Sequence, residues 1–197
     1  MNDDKKMKCT RWINGSLSVM ILVLILPVSG CAQANEAPKS FSLQVQSLNQ
    51  VDRKTLMKVN VDSLLTEDQK RGKNPKDASP LRFAVTEEVV FNLNNSGTWE
   101  NLSDGRVWRL RIYSPGALSH NLGITRFTVP KGVKLWIYNP TRKYVEGPYT
   151  SRDSSPGGSL WTPIIVGNEI VIELFMPAGA LQPEVEIGKV NKGYRNL

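Results

Sequence analysis

From Leu81 onward the chain never holds one hydrophobic period long enough for a helix of ordinary length. Short apolar runs are cut by turn residues about every eight to twelve positions, the cadence of an all-β domain. Val107–Tyr113 shows it best, with Trp108, Leu110 and Ile112 on one face and Arg109 and Arg111 on the other. Further runs are Phe83 to Leu93, Trp99–Leu102, Leu122–Val129, Val133–Tyr138, Tyr144–Tyr149, Leu160–Val166, Ile170–Phe175, and a last strand around Val185 and Ile187. Ser103-Asp104-Gly105, Ser114-Pro115-Gly116, Pro130-Lys131-Gly132 and Gly167-Asn168 supply the turns. Val133–Tyr138 is apolar on both faces and belongs in the middle of a sheet, whereas Pro148 sends its strand to an edge. The expected fold is therefore a two-sheet antiparallel β-sandwich over 81–197, immunoglobulin-like or jelly-roll.

The N-terminal part reads differently. Lys5, Lys6, Lys8 and Arg11 form a basic stretch ahead of an apolar run, Val19–Leu26, too short to span a bilayer as a helix. Residues 1–30 are thus expected to be a lipoprotein-type signal peptide. Val28-Ser29-Gly30-Cys31 resembles a bacterial lipobox, whose cysteine thiol takes a diacylglycerol and becomes the membrane anchor. Ala32 after the cysteine favours the outer membrane by resemblance to bacterial sorting rules, so an exported, envelope-bound protein is expected. Residues 31–40 read as a tether and 41–80 as an extension. In it, Phe41, Leu43 and Val45, then Leu56, Val59 and Val61, alternate as one or two strands. A short helix capped by Asp62 or Ser63 stops near Gly72.

Composition removes several kinds of chemistry. Cys9 leaves with the signal and Cys31 is acylated, so no disulfide is expected. The chain has one histidine, so a His-rich metal site is excluded and any Ser-His-Asp triad must use His120, which reads as a turn or edge-strand residue. No G-x-S-x-G elbow is present, and neither a His/Cys cluster nor an Asp-rich calcium loop points to a metal or other cofactor. Glu87 and Glu88 point to opposite faces of a strand and, with Glu100, make a poor carboxylate pair. Removing the four basic and two acidic residues of 1–30 from the totals of 25 and 18 leaves a modest, scattered +5, without the basic stripe that nucleic acid requires. Trp108 sits on an apolar strand face and reads as core. Trp136 and Tyr138 share the second face of an apolar strand, and form either a second buried layer or an exposed platform for polysaccharide.

A series of motifs in register is more specific than this periodicity. Gly97-Thr98-Trp99-Glu100, Val107-Trp108-Arg109-Leu110-Arg111-Ile112, Asn121-Leu122-Gly123-Ile124-Thr125-Arg126-Phe127, Leu135-Trp136-Ile137-Tyr138-Asn139-Pro140, Leu160-Trp161-Thr162-Pro163 and Gly188-Lys189-Val190-Asn191-Lys192-Gly193-Tyr194-Arg195 follow in order. Together they resemble the non-catalytic region ahead of the trypsin-like domain in bacterial lysyl endopeptidases, from about Val61 to the end. The peptidase segment and its catalytic residues are expected to be missing from this chain, which is read either as a protease precursor cut short or as a free-standing relative. The resemblance implies a pro-region, a β-domain that assists folding of a trypsin-fold serine protease or holds it inactive, with Lys192 and Arg195 near the place of processing. The readings set against it are a surface carbohydrate-binding module and a structural envelope lipoprotein.

Overall fold

The computed structural model describes residues 36–72, 80–154 and 157–196. The expected signal peptide, Cys31 and the first part of the tether lie outside them. The described residues belong to one compact unit. It holds eleven strands and one helix: β1 (Arg53–Thr55), α1 (Val61–Gly72), β2 (Ala84–Asn92), β3 (Thr98–Leu102), β4 (Gly105–Tyr113), β5 (Ser119–Thr128), β6 (Lys134–Tyr138), β7 (Val145–Tyr149), β8 (Leu160–Trp161), β9 (Ile165–Val166), β10 (Glu169–Pro177) and β11 (Glu184–Gly193).

Two sheets face each other, as the turn cadence predicts. Sheet A runs β1-β4-β10-β6-β7, with β3 sharing the edge of β4. Sheet B runs β2-β11-β5-β8, with β9 also on β5. Every pairing is antiparallel except β1 with β4, where Arg53–Thr55 lies parallel to Arg111–Tyr113. Trp108, Leu110 and Ile112 of β4, Leu135 and Ile137 of β6, and Ile170, Ile172 and Leu174 of β10 meet Leu122, Ile124, Val185, Ile187 and Val190 from sheet B. This buried layer supplies most of the stability, at about 1.5–3 kcal/mol per large apolar side chain. Trp108 is fully buried, as its strand face predicts, and its indole N–H donates to the Ser96 carbonyl at 2.8 Å. Gly97, beside Ser96, has φ +79°, and a Cβ there would sit 2.3 Å from the Trp108 ring, so the turn before β3 has room for glycine alone.

Strand β11 is longer than its sequence pattern shows. Val185 and Ile187 alternate inward, and strict alternation would next bury Lys189. A bulge at Gly188 resets the phase, so that Lys189 faces outward and Val190 inward, and pairing continues to Gly193.

Residues 36–55 depart most from expectation. They are neither a free tether nor a strand-rich extension but a strap of two 3-10 turns, Lys39–Phe41 and Leu48–Gln50, ending in β1. The strap lies across the outer face of sheet A, so a boundary at 80/81 does not divide the fold. Only α1 falls where the sequence places it, but its cap is Asn60, whose Oδ1 accepts the Ser63 amide at 3.1 Å. Val61, Leu64 and Leu65 pack it against Val59, Ala117 and Tyr194.

Candidate functional site

Alternation along β4, β10 and β6 puts Arg109, Arg111, Glu169, Val171, Glu173, Phe175, Trp136 and Tyr138 on the outer face of sheet A. The strap turns that face into a second buried layer. Trp136 and Tyr138 are 0% and 1% exposed and cluster with Val171 and Phe175 under Phe41, Leu48 and Leu102. An exposed platform at Trp136 and Tyr138 is therefore ruled out. The Trp136 indole N–H donates to the Glu36 carbonyl at 2.7 Å, and Phe41 meets the Tyr138 ring edge-to-face at 5.0 Å.

Glu173 is the polar centre of this layer and is fully buried. Its Oε1 accepts the Ser40 amide at 3.0 Å and its Oε2 accepts the Tyr138 hydroxyl at 2.8 Å. Because that phenolic proton is committed, the 3.0 Å contact between Ser40 Oγ and Tyr138 has the serine as donor. Burial, then the Glu173 charge, pushes the Tyr138 hydroxyl far above its ordinary pKa. Arg109 donates to the Gln46 carbonyl at 2.8 Å and to Glu100 at 3.1 Å, and Arg111 donates to Leu48 and Glu169. The strap's backbone is thus held by side chains that alternation alone reads as a wet face. Glu100, weighed above for a carboxylate pair, is an anchor here. Its two oxygens also accept the Gln46 amide at 3.0 Å.

Lys192 and Arg195 are not a solvated tail. Lys192 is 3% exposed, and its Nζ donates to Glu87 at 2.6 Å and to the Met57 carbonyl at 3.1 Å. Arg195 reaches Asp68 of α1 at 2.7 Å and the Arg82 carbonyl at 3.0 Å. The Tyr194 hydroxyl donates to Asp68 at 2.7 Å, and Arg82 closes the cluster at 3.1 Å. The Tyr194 hydroxyl, with the Arg195 and Arg82 guanidiniums, holds the Asp68 carboxyl below its usual range. This end of the described chain is thus held by α1, β2 and the segments that lead into them.

His120 lies in β5, paired to β11 on one side and β9 on the other, not in a turn or on an edge. A carbonyl only accepts, so Nδ1–H donates to Gly167 at 2.9 Å, and the neutral ring's Nε2 accepts the Ser114 hydroxyl at 2.8 Å. Burial drops its pKa to about 4, with the Lys192 charge acting in the same direction against the Gly167 bond. The pair has the spacing of a nucleophile and its base, but Ser114 is 0% and His120 1% exposed, so it ties the sheets together. Glu87 and Glu88 do point to opposite faces. Among the described residues no three His, Cys, Asp or Glu side chains form a metal-holding group, and no helix is long and apolar enough to cross a membrane. Cys31, the expected site of lipid attachment, lies outside the described residues.

Sequence reasoning passed over Glu173 and Ser40. The signal was present in β10, where Val171, Glu173 and Phe175 share a face: two apolar neighbours around one carboxylate mark a covered face more than a wet one.

Two comparisons with known proteins bear on this arrangement. The isomalto-dextranase of Arthrobacter globiformis T6, solved in complex with panose, aligns at 11% identity over 57% of this chain and 22% of its own, with a TM-score of 0.26. So loose a superposition carries nothing about fold or function. The family model for the lysyl endopeptidase N-terminal domain matches residues 47–189, from inside the strap to β11, and the match involves no peptidase domain. The chain belongs to the lysyl endopeptidase N-terminal domain family.

Proposed function

We propose that this chain acts as a non-catalytic, pro-region-type domain that engages a trypsin-fold serine protease of lysyl specificity, assisting its folding or holding it inactive. The family match over 47–189 carries the reading. The buried state of Ser114 and His120 agrees with it, since the one histidine of the chain is committed to the joint between the sheets. In this reading the domain is exported and held at the envelope through lipid on Cys31.

The test is to refold a lysyl-specific serine endopeptidase with and without the full chain, and to titrate the chain into the active enzyme. A higher refolding yield or slowed peptide cleavage is expected. Neither effect at stoichiometric excess would end the protease reading. Palmitate labelling of cells expressing the chain tests the anchor separately, since label that persists in Cys31→Ser rules out lipidation there.

A further inference from the structure

Among the described residues no segment straps the outer face of sheet B, and that face is built in rows. The bulge at Gly188 brings Lys189 to the surface, so that Glu88 of β2, Lys189 of β11, Gly123 of β5 and Trp161 of β8 stand side by side across the sheet. The next row is Thr86, Asn191 and Asn121. Trp161 lies down across the strands. A Cβ on Gly123 would come within 2.9 Å of Cη2 and Cζ3 of its six-membered ring and 3.2 Å of the Lys189 Cβ, so the missing side chain is the seat of the indole. Trp161 as a residue is nonetheless 54% exposed, although tryptophan is highly buried on average.

We propose that this face is a binding platform for a neutral hexopyranose chain, with one pyranose ring stacked on Trp161. Both cations there are already engaged: Lys189 pairs with Glu88 at 3.8 Å, and Arg126 with Glu184 at 3.2 Å and Glu186 at 3.9 Å, so neither is left over for an anionic ligand. An uncharged polar ligand suits such a surface better than an anion. Beside the ring are amides. Asn191 uses its Oδ1 to accept the Thr86 hydroxyl at 2.6 Å, which leaves its NH₂ for a sugar hydroxyl. A stacked aromatic with amides in the adjoining row is how an apolar sugar face and its hydroxyl rim are both satisfied. A protein partner would instead call for a contiguous apolar patch, and the ring's row offers a glycine, a lysine and a glutamate. Four strands at ~4.8 Å spacing give a track long enough for a short oligosaccharide. The proposal stands independently of the protease reading.

The experiment titrates the full chain with cellohexaose, laminarihexaose, N-acetylchitohexaose and maltohexaose by calorimetry and tryptophan fluorescence. At least one of these four is expected to bind and to protect Trp161 from N-bromosuccinimide, while Trp108 and Trp136 stay unreactive because they are buried. Trp161→Ala is expected to weaken binding about tenfold or more, and Trp161→Phe less. If none of the four binds, if Trp161 stays fully reactive in the bound state, or if Trp161→Ala binds as the parent does, the proposal fails. Capture of a protein partner through Trp161 with no sugar bound overturns it equally. The protection assay uses the unmodified chain and is independent of how either variant folds.

Discussion

The two outer faces of this sandwich are written in the same alternating code and finish in opposite states. On sheet A, Arg109, Arg111, Glu169 and Glu173 alternate with core residues, yet the strap 36–55 covers them and Trp136 and Tyr138 are sealed. On sheet B, Thr86, Glu88, Lys189 and Asn121 also alternate with core residues, and there the face is open, with Arg126 and Glu184 each more than half exposed. The difference lies in what accompanies the charges. Sheet A's face also carries Trp136, Tyr138, Val171 and Phe175, which cluster into apolar bulk that water would not tolerate, whereas sheet B's apolar side chains, Trp161, Val90 and Val166, are spread over β8, β2 and β9 and remain 54%, 63% and 43% exposed. Alternation says which residues leave the core, and the apolar content of that outgoing set says whether something else buries them.

The largest expected effect tests that contrast directly. Trp136→Ala empties a fully buried site and is expected to cost about 3–5 kcal/mol. Trp161→Ala, on the open face, is expected to stay within about 0.5 kcal/mol. Urea denaturation of the two variants measures both, and equal costs would mean that the strap does not seal sheet A.

Next in size is a pH effect on the joint between the faces. His120 in sheet B accepts from Ser114, the residue after β4 of sheet A, and its pKa falls from 6.5 to about 4 on folding. A depressed histidine binds its proton in the unfolded chain first. Its contribution is therefore complete above pH 6.5 and is lost as pH falls from there to about 4. The loss is about 2 kcal/mol by pH 5 and about 3 kcal/mol in the limit. With no second histidine in the chain, the slope between pH 7.5 and 5 belongs to His120. His120→Gln should flatten it, and a parent protein equally stable at pH 7.5 and 5 would contradict the buried strut.

The carboxylates sharpen the comparison further. Glu173→Gln keeps the shape but leaves only one acceptor oxygen for the Ser40 amide and the Tyr138 hydroxyl, a cost of about 1–3 kcal/mol. Glu186→Gln on sheet B, 3.9 Å from Arg126, should change stability by less than about 0.5 kcal/mol. Hydrogen exchange adds a readout of place: Glu173→Gln should speed exchange at the Ser40 and Gln46 amides and leave β5 protected. Uniform acceleration would show that the strap is no separate element.

Much of the core was legible, because a strand with one wet face prints its burial as period two. Trp108, Leu110 and Ile112 needed nothing more, and Pro148 did mark an edge strand, β7. The strap was not legible. Its 3-10 turns have no period of their own, and its hold on the sheet comes from backbone groups, the Ser40 and Gln46 amides and the Gln46 and Leu48 carbonyls, which are the same in every sequence. The second half of β11 hid for another reason: the Gly188 bulge shifts the phase in mid-strand, so Lys189 and Val190 break the pattern begun at Val185. At the candidate sites the sequence named Trp136 and Tyr138 without telling buried from exposed. It passed over Trp161 because a two-residue strand is too short to show a face.

The smallest expected effect is the most local. Gly123→Ala puts a methyl 2.9 Å from the far edge of the Trp161 ring, and that edge belongs to a side chain with open solvent above it. The ring tips away instead of straining the sheet, so stability should move by less than about 0.5 kcal/mol while the emission shifts to longer wavelength. Gly97→Ala adds the same methyl where φ is +79° and the Trp108 indole, fully buried, is 2.3 Å away, so neither backbone nor ring can yield, and a loss of about 1–3 kcal/mol is expected. One added carbon thus measures how much room each tryptophan has. If the two substitutions cost the same, the seat of Trp161 is packed as tightly as the core, and the open face of sheet B is not open at that ring.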